Sequence, residues 1–376
     1  MFELLSFLQL QQLWWMIVSL LAGLFVFLMF IQGGQTLLFS LPENEVEKSM
    51  LINSLGRKWE LGFTTLVLFG GALFAAFPLF YATSFGGAYW VWLAILFCFI
   101  IQAVSYEYRK KENNFLGQKT YEMFLYINGS LGVILLGVAL STLFSGASFH
   151  LDENFFVQWD TNLRGLEALF IPQNYLLAFS LFFLARLSAG LYFLSNINHA
   201  SLHVRIQKML LKNTLLFLPF FLGFLAWIFL KDGFAYDASG VVHIEAYKYL
   251  SNLLALPLVA VMILLGVVLV LVALYLGIFR ANVHGIKVMG VGIVLAVMGI
   301  FLLLGLNNTA FYPSLSALQS SLTIENSSGS HYTLTAMSYV ALIIPFVLAY
   351  ITYAWYAMDK KDIDEAEIRD ASEHHY

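Results

Sequence analysis

Nine apolar stretches, at about 13–39, 60–82, 87–108, 120–145, 174–196, 211–230, 253–279, 286–306 and 334–357, take up most of this sequence. Each approaches or exceeds the ~20 residues that a helix needs to cross a bilayer. Lipid leaves backbone polar groups no water to bond, so a chain of this kind resolves into membrane-spanning helices. The expected fold is an all-α polytopic membrane protein: one integral-membrane domain over 1–376, with a charged tail at 358–376. Only 11% of its residues are charged, against roughly 25% in soluble domains. A net charge of −4 gives no basic face for nucleic acid. Cys98 stands alone in an apolar run, which excludes a disulfide framework and a cysteine metal site. Glu3 and the lack of a basic leading segment argue against a cleaved signal peptide.

Basic residues set the orientation. Lys48, Arg57 and Lys58 follow span 1; Arg109, Lys110, Lys111 and Lys119 follow span 3; Arg205, Lys208 and Lys212 follow span 5; Arg280 and Lys287 follow span 7. With Lys360, Lys361 and Arg369 in the tail, these are 15 of the 19 lysines and arginines. The other side receives Arg164, Lys231 and Lys248, and Arg186 lies inside span 5. The positive-inside rule then predicts nine spans with the N-terminus outside and the C-terminus cytoplasmic. Eight or ten spans would break the alternation.

On that orientation the cytoplasmic half of spans 1–4 gathers Gln32, Gln35, Glu60, Gln102, Glu107 and Glu122. Glu60 follows Trp59 at the start of span 2, and burial there would favour its neutral form. It is a candidate proton-handling residue, or equally a helix-start acid near a positive dipole end. Arg186, Glu107 and Arg109 are expected in structural ion pairing, since a buried arginine needs a partner. Gly71 and Ala75 in span 2, and Gly290, Gly292 and Gly299 in span 8, offer faces for close helix packing. No histidine falls inside a span, so a bis-histidine haem held by this chain is not expected. His199 and His203 have metal-pair spacing but no third ligand; no metal site is expected.

Several motifs, in order, carry a resemblance. Trp14-Trp15 enters span 1, Asn53-Ser54-Leu55-Gly56 precedes Trp59-Glu60, and Gly70-Gly71-Ala72-Leu73-Phe74-Ala75-Ala76-Phe77-Pro78 closes span 2. Tyr106-Glu107-Tyr108-Arg109 ends span 3. Tyr312-Pro313, Ser321-Leu322-Thr323-Ile324, Asn326, Ser328, Thr333-Leu334, Met337, Pro345 and Tyr350 follow. Together they resemble subunit II of the cytochrome bd-type quinol oxidases along the nine-helix plan. The resemblance implies a haem-bearing subunit I with haem b and haem d, quinol as electron donor and reduction of dioxygen to water. It also implies proton uptake from the cytoplasm, membrane lipids and quinone around the complex, and room for a small single-helix accessory subunit. Glu60, with Trp59, Gln32 and Gln35, falls on the implied proton pathway.

The departures are specific. Acidic positions near the end of the family's first span read Gln32 and Gln35, an arginine usual near 102 is Gln102, and the Trp-Asp-Gly-Asn segment reads Trp59-Glu60-Leu61-Gly62. Two other readings stand beside this one. A secondary transporter is expected to show paired broken helices and a midplane acid, which Pro219, Pro257 and Pro345 do not supply. A purely structural membrane subunit differs only in whether Glu60 moves protons.

Overall fold

A computed structural model of the chain describes residues 2–111 and 113–369. His374, His375 and the end of the charged tail lie outside the described residues. Among these, nine helices are long and apolar enough to cross a membrane. They are α1 Phe7–Gln35, α2 Glu45–Ala76, α3 Tyr89–Tyr108, α4 Gln118–Ser145, α5 Asn174–Asn196, α6 Ala200–Leu230, α7 Pro257–Arg280, α8 Gly285–Gly305 and α9 His331–Met358. At the start of α1 the Ser6 hydroxyl accepts from Gln9 N at 3.2 Å and Gln9 Oε1 accepts from Ser6 N at 2.9 Å. That reciprocal cap satisfies two otherwise free amides.

The number of spans agrees with the sequence, but several ends differ for local reasons. Residues 45–56 were expected in a polar loop and instead form the first half of α2. Asn44 caps it by accepting from Glu47 N at 2.9 Å. The helix breaks at Arg57–Lys58 and resumes at Trp59. Toward its far end it is interrupted after Ala76, because Pro78 forces Phe77 out of the helical region to φ −130°, ψ 63°, and helical turns resume over Pro78–Tyr81 and Ala82–Gly87. α6 begins at Ala200 rather than 211, so Arg205, Lys208 and Lys212 ride on a helix and not in a loop.

Small residues decide which helices touch. A side chain at Gly33 would overlap the Ala185 carbonyl, and one at Gly129 would overlap the Gln32 carbonyl. α1 is thereby drawn against α5 and α4. Gly292 faces Gly266, and Gly290 faces the Phe27 ring, so the glycine face of α8 is consumed inside the chain against α7 and α1. Gly71 differs: a Cβ there meets nothing within 4 Å, so that face is not an internal contact.

The helix ends carrying most lysines and arginines define a basic end. At the far end, β1 Phe149–Leu151 pairs with β2 Val157–Trp159 and β3 Gly233–Tyr236 with β4 Val242–Glu245. Trp159 Nε1 donates to Thr83 O at 3.2 Å, seating the first hairpin on the helices. Lys231, just past α6, donates to the Phe144 carbonyl near the end of α4. Its ammonium lies 5.2, 5.7 and 6.0 Å from the ring centres of Trp227, Phe234 and Tyr249. Burial in that setting pushes the Lys231 amine down to about 8.

Candidate functional site: a buried amide cluster at the basic end

Four amides from three helices meet where α1, α3 and α4 converge. Gln102 Oε1 accepts from Gln32 Nε2 at 2.9 Å, from Gln35 Nε2 at 2.6 Å and from Asn128 Nδ2 at 2.6 Å. Asn128 Nδ2 also reaches Gln35 Oε1 at 3.0 Å, and Gln35 Nε2 reaches the Tyr106 hydroxyl at 3.2 Å. All four amides are buried. Asn128 enters because α4 opens into a π-turn over Asn128–Gly132; such widened turns re-aim side chains and recur at functional sites. Sequence reasoning did not single out Asn128. The signal available was an Asn-Gly-Ser run interrupting an otherwise apolar span.

α2 joins through Trp59, whose ring stacks on Tyr106 at 5.8 Å and 15°. A Cβ at Gly62 would lie 3.2 Å from Ile31 and 3.8 Å from Gln32 Nε2, so α2 passes close to the cluster. Trp59 Nε1, Gln102 Nε2 and Asn128 Oδ1 are buried with no protein partner. Two donors and one acceptor are left over on residues in or against the cluster, a set that suits water or another small polar species.

Glu60 is not buried beside Trp59. It is exposed, because the next residue on a helix turns 100° away from its neighbour. Its outward face continues with Thr64, Val67, Leu68, Gly71 and Phe74, all exposed. Glu60 and the amide cluster therefore lie on different sides of α2, with Trp59 between them.

The expected ion pairs resolve differently. Arg109 is buried and pairs with Glu122, at 2.7 Å from Nη2 and 3.0 Å from Nε. Lys48 reaches the other oxygen of Glu122 at 3.2 Å. Glu107 is exposed on another face of α3 and belongs to none of the described ion pairs. Arg186 is not ion-paired with any described carboxylate. Its Nε donates to Asn213 Oδ1 at 2.9 Å and its Nη1 to Thr36 Oγ1 at 2.8 Å, with the Phe182 ring at 5.5 Å. Neutral acceptors suffice because five donors can be met by oxygens without bringing a second charge into the bundle.

The tail closes the basic end. Asp359 accepts from Lys58 Nζ at 2.8 Å, Tyr192 Oη at 3.2 Å and Asn196 Nδ2 at 3.3 Å. Ile363 exchanges backbone bonds with Asn196 and Asn198, both at 2.9 Å. Glu367 pairs with Arg57 and accepts from Asn53 Nδ2 at 3.3 Å.

The profile of the cytochrome bd terminal oxidase subunit II family matches residues 10–358. The chain belongs to that family. Cytochrome bd-I ubiquinol oxidase subunit 2 of Escherichia coli (strain K12) is 27% identical over 374 residues, covering 94% of this chain and 97% of that protein. Cytochrome bd ubiquinol oxidase subunit 2 of Bacillus subtilis (strain 168) is 27% identical over 364 residues, covering 94% and 96%. A chain in the solved bd oxidase from Geobacillus thermodenitrificans superposes with a TM-score of 0.61 at 13% identity, covering 93% of this chain and 97% of that one. At that identity the likeness is one of fold.

As a bd oxidase subunit II, the protein is a membrane subunit of a quinol-oxidising oxidoreductase complex, and the haems of the family reside in the partner subunit. Three of the described histidines are engaged at helix ends or in loops: His150 bonds Asp160, His199 bonds Glu365, and His203 bonds the Ile197 carbonyl. Among the described residues no group of three or more His, Cys, Asp or Glu could hold a metal ion. Three of the positions at which the sequence departs from the resemblance, Gln32, Gln35 and Gln102, are one contact cluster. Where the resemblance implies two acids and an arginine, this chain places three amides, so the cluster carries no formal charge.

Proposed function

We propose that the chain is subunit II of a cytochrome bd-type terminal oxidase in a bacterial cytoplasmic membrane, with its N-terminus outside and its basic end in the cytoplasm. Its haem-bearing partner, subunit I, holds haem b and haem d, oxidises quinol and reduces dioxygen to water; this chain supports that subunit and contributes to proton uptake. The observation that carries the proton role is Glu60. A carboxylate on an exposed helix face would be costly against lipid, so the α2 face of Glu60, Thr64 and Gly71 is better met by protein. α9 supports the same reading, because Ile344–Met358 has no buried residue within the chain. Glu60 then sits at the seam with subunit I, and Trp59 separates it from a cluster whose leftover donors and acceptor suit a water relay. Gln32 and Gln35 bond water without competing for the proton.

The test is asymmetric substitution in the assembled oxidase. Glu60→Asp keeps a titrating group and retains much of the oxygen-reduction rate. Glu60→Gln keeps size and hydrogen bonding but cannot ionise, so turnover falls while assembly and the haem spectrum persist. Parental turnover in Glu60→Gln would make the chain a structural subunit at this position. A reporter fused after Tyr376 must also read as cytoplasmic.

A further inference from the structure

At the basic end, charge is unevenly settled. Lys48 pairs with Glu45 and Glu122, Arg57 with Glu367, Lys58 with Asp359, Arg109 with Glu122, and Arg205 with Glu43 and Glu47. All of these acids come from residues 43–122 or from the tail. Residues 168–231 and 246–324 contain no aspartate or glutamate at all. Lys208, Lys212, Arg280 and Lys287 lie in those two segments, are exposed, and have no described carboxylate within 4 Å.

These four cations lie on the ends of three helices that follow one another in the chain, α6, α7 and α8. Gln207 Nε2 donates to the Ile278 carbonyl at 2.9 Å, which sets that level of α6 beside the last turn of α7. Gly277 allows the close approach, lying against Leu191 and Leu210. Lys208 follows Gln207 directly, and Lys212 is one turn deeper, about 6 Å along the helix. Arg280 ends α7, and Lys287 sits in the first turn of α8 after the tight turn at Ala281. Leu211, Leu215, Tyr275 and Phe279 are exposed on the same stretches of α6 and α7. A row of unneutralised cations above an apolar helix face matches a molecule with an anionic head and hydrocarbon tails.

We propose that the basic ends of α6, α7 and α8 form a site for an anionic membrane phospholipid. Its phosphate is held by Lys208, Arg280 and Lys287, Lys212 reaches up from below, and the acyl chains lie along Leu211, Leu215, Tyr275 and Phe279. The site stands apart from Glu60 and the amide cluster and does not depend on the proton reading.

The experiment uses the purified, delipidated oxidase complex, titrated with phosphatidylglycerol or phosphatidylcholine and read by native mass spectrometry. The triple variant Lys208→Gln/Arg280→Gln/Lys287→Gln is compared with a control of equal charge, Lys110→Gln/Lys111→Gln/Lys119→Gln. The parental and control complexes bind one more phosphatidylglycerol than the triple variant, whose affinity for it falls at least tenfold; phosphatidylcholine binding is the same in all three. Inorganic phosphate at millimolar concentration does not displace the lipid. Equal losses in control and triple variant would overturn the proposal in favour of general charge attraction. Displacement by phosphate would overturn it in favour of a plain anion site. An unchanged haem spectrum and melting temperature show that each variant is folded.

Discussion

Gln35 Nε2 lies 2.6 Å from Gln102 Oε1, and that one oxygen also receives Gln32 and Asn128. Three donors on one acceptor, beside an unpartnered Gln102 Nε2, make position 102 a place where an acceptor matters and a donor does not. Gln102→Leu removes the shared acceptor: Gln32 Nε2 loses its described partner, while Gln35 and Asn128 each lose one of two, at a cost of about 2 kcal/mol. Gln102→Glu keeps the acceptor and removes the orphan donor, so assembly persists. Thermal loss of the haem spectrum in the purified complex checks both.

Gly33 and Gly71 separate internal from external packing. Gly33→Ala drives a methyl into the Ala185 backbone and is expected to cost about 1–3 kcal/mol, seen as poor recovery of the whole complex. Gly71→Ala meets nothing in this chain and leaves its helices intact. Gly71→Trp is the informative change, since it blocks only a neighbour: reduced co-purification of subunit I is the expected result.

The Lys58 side chain is fully buried, and its only described carboxylate partner is Asp359. Asp359→Asn therefore leaves a buried cation without a counter-charge, at an expected cost of about 3–5 kcal/mol. Lys58→Met/Asp359→Asn removes both charges and recovers most of that loss, and Lys58→Met alone supplies the fourth complex of the cycle. Melting of the four complexes in a double-mutant cycle measures the coupling.

Lys231 predicts a pH dependence at the far end. Its amine is pushed by burial from 10.5 down to about 8. Between those values the unfolded chain holds the proton and the folded chain has lost it, so stability rises with pH across that window. Lys231→Met has no proton to lose at this position. The gain in unfolding midpoint between pH 8 and pH 10 is expected to be smaller in that variant than in the parent.

The nine-helix plan was legible because apolar run lengths and the placement of lysine and arginine both depend only on order along the chain. Contacts across the bundle were not. Glu45, Glu47 and Lys48 looked like loop residues, and the partners that let them sit in a helix, Glu122 and Arg205, are far away in sequence. Gln32, Gln35 and Gln102 were each visible as polar interruptions, yet nothing local showed that they share one oxygen. Glu60 was placed at the correct helix start but on the wrong side of it. α2 is apolar nearly all round, so its pattern does not say which face turns inward. Arg186 was expected beside a carboxylate and instead satisfies itself on Thr36 and Asn213.

The strap formed by the tail has a consequence in time. Lys58 and Asp359 are 301 residues apart, so at ~5–20 residues per second the first is made roughly 15–60 s before the second. Throughout that interval the broken second helix must wait at the membrane surface with its lysine still hydrated. The basic end cannot dehydrate until the ninth helix has been inserted and the last turns of the chain return. A chain cut before Asp359 would keep Lys58 without the carboxylate that buries it, so its basic end would stay open to water.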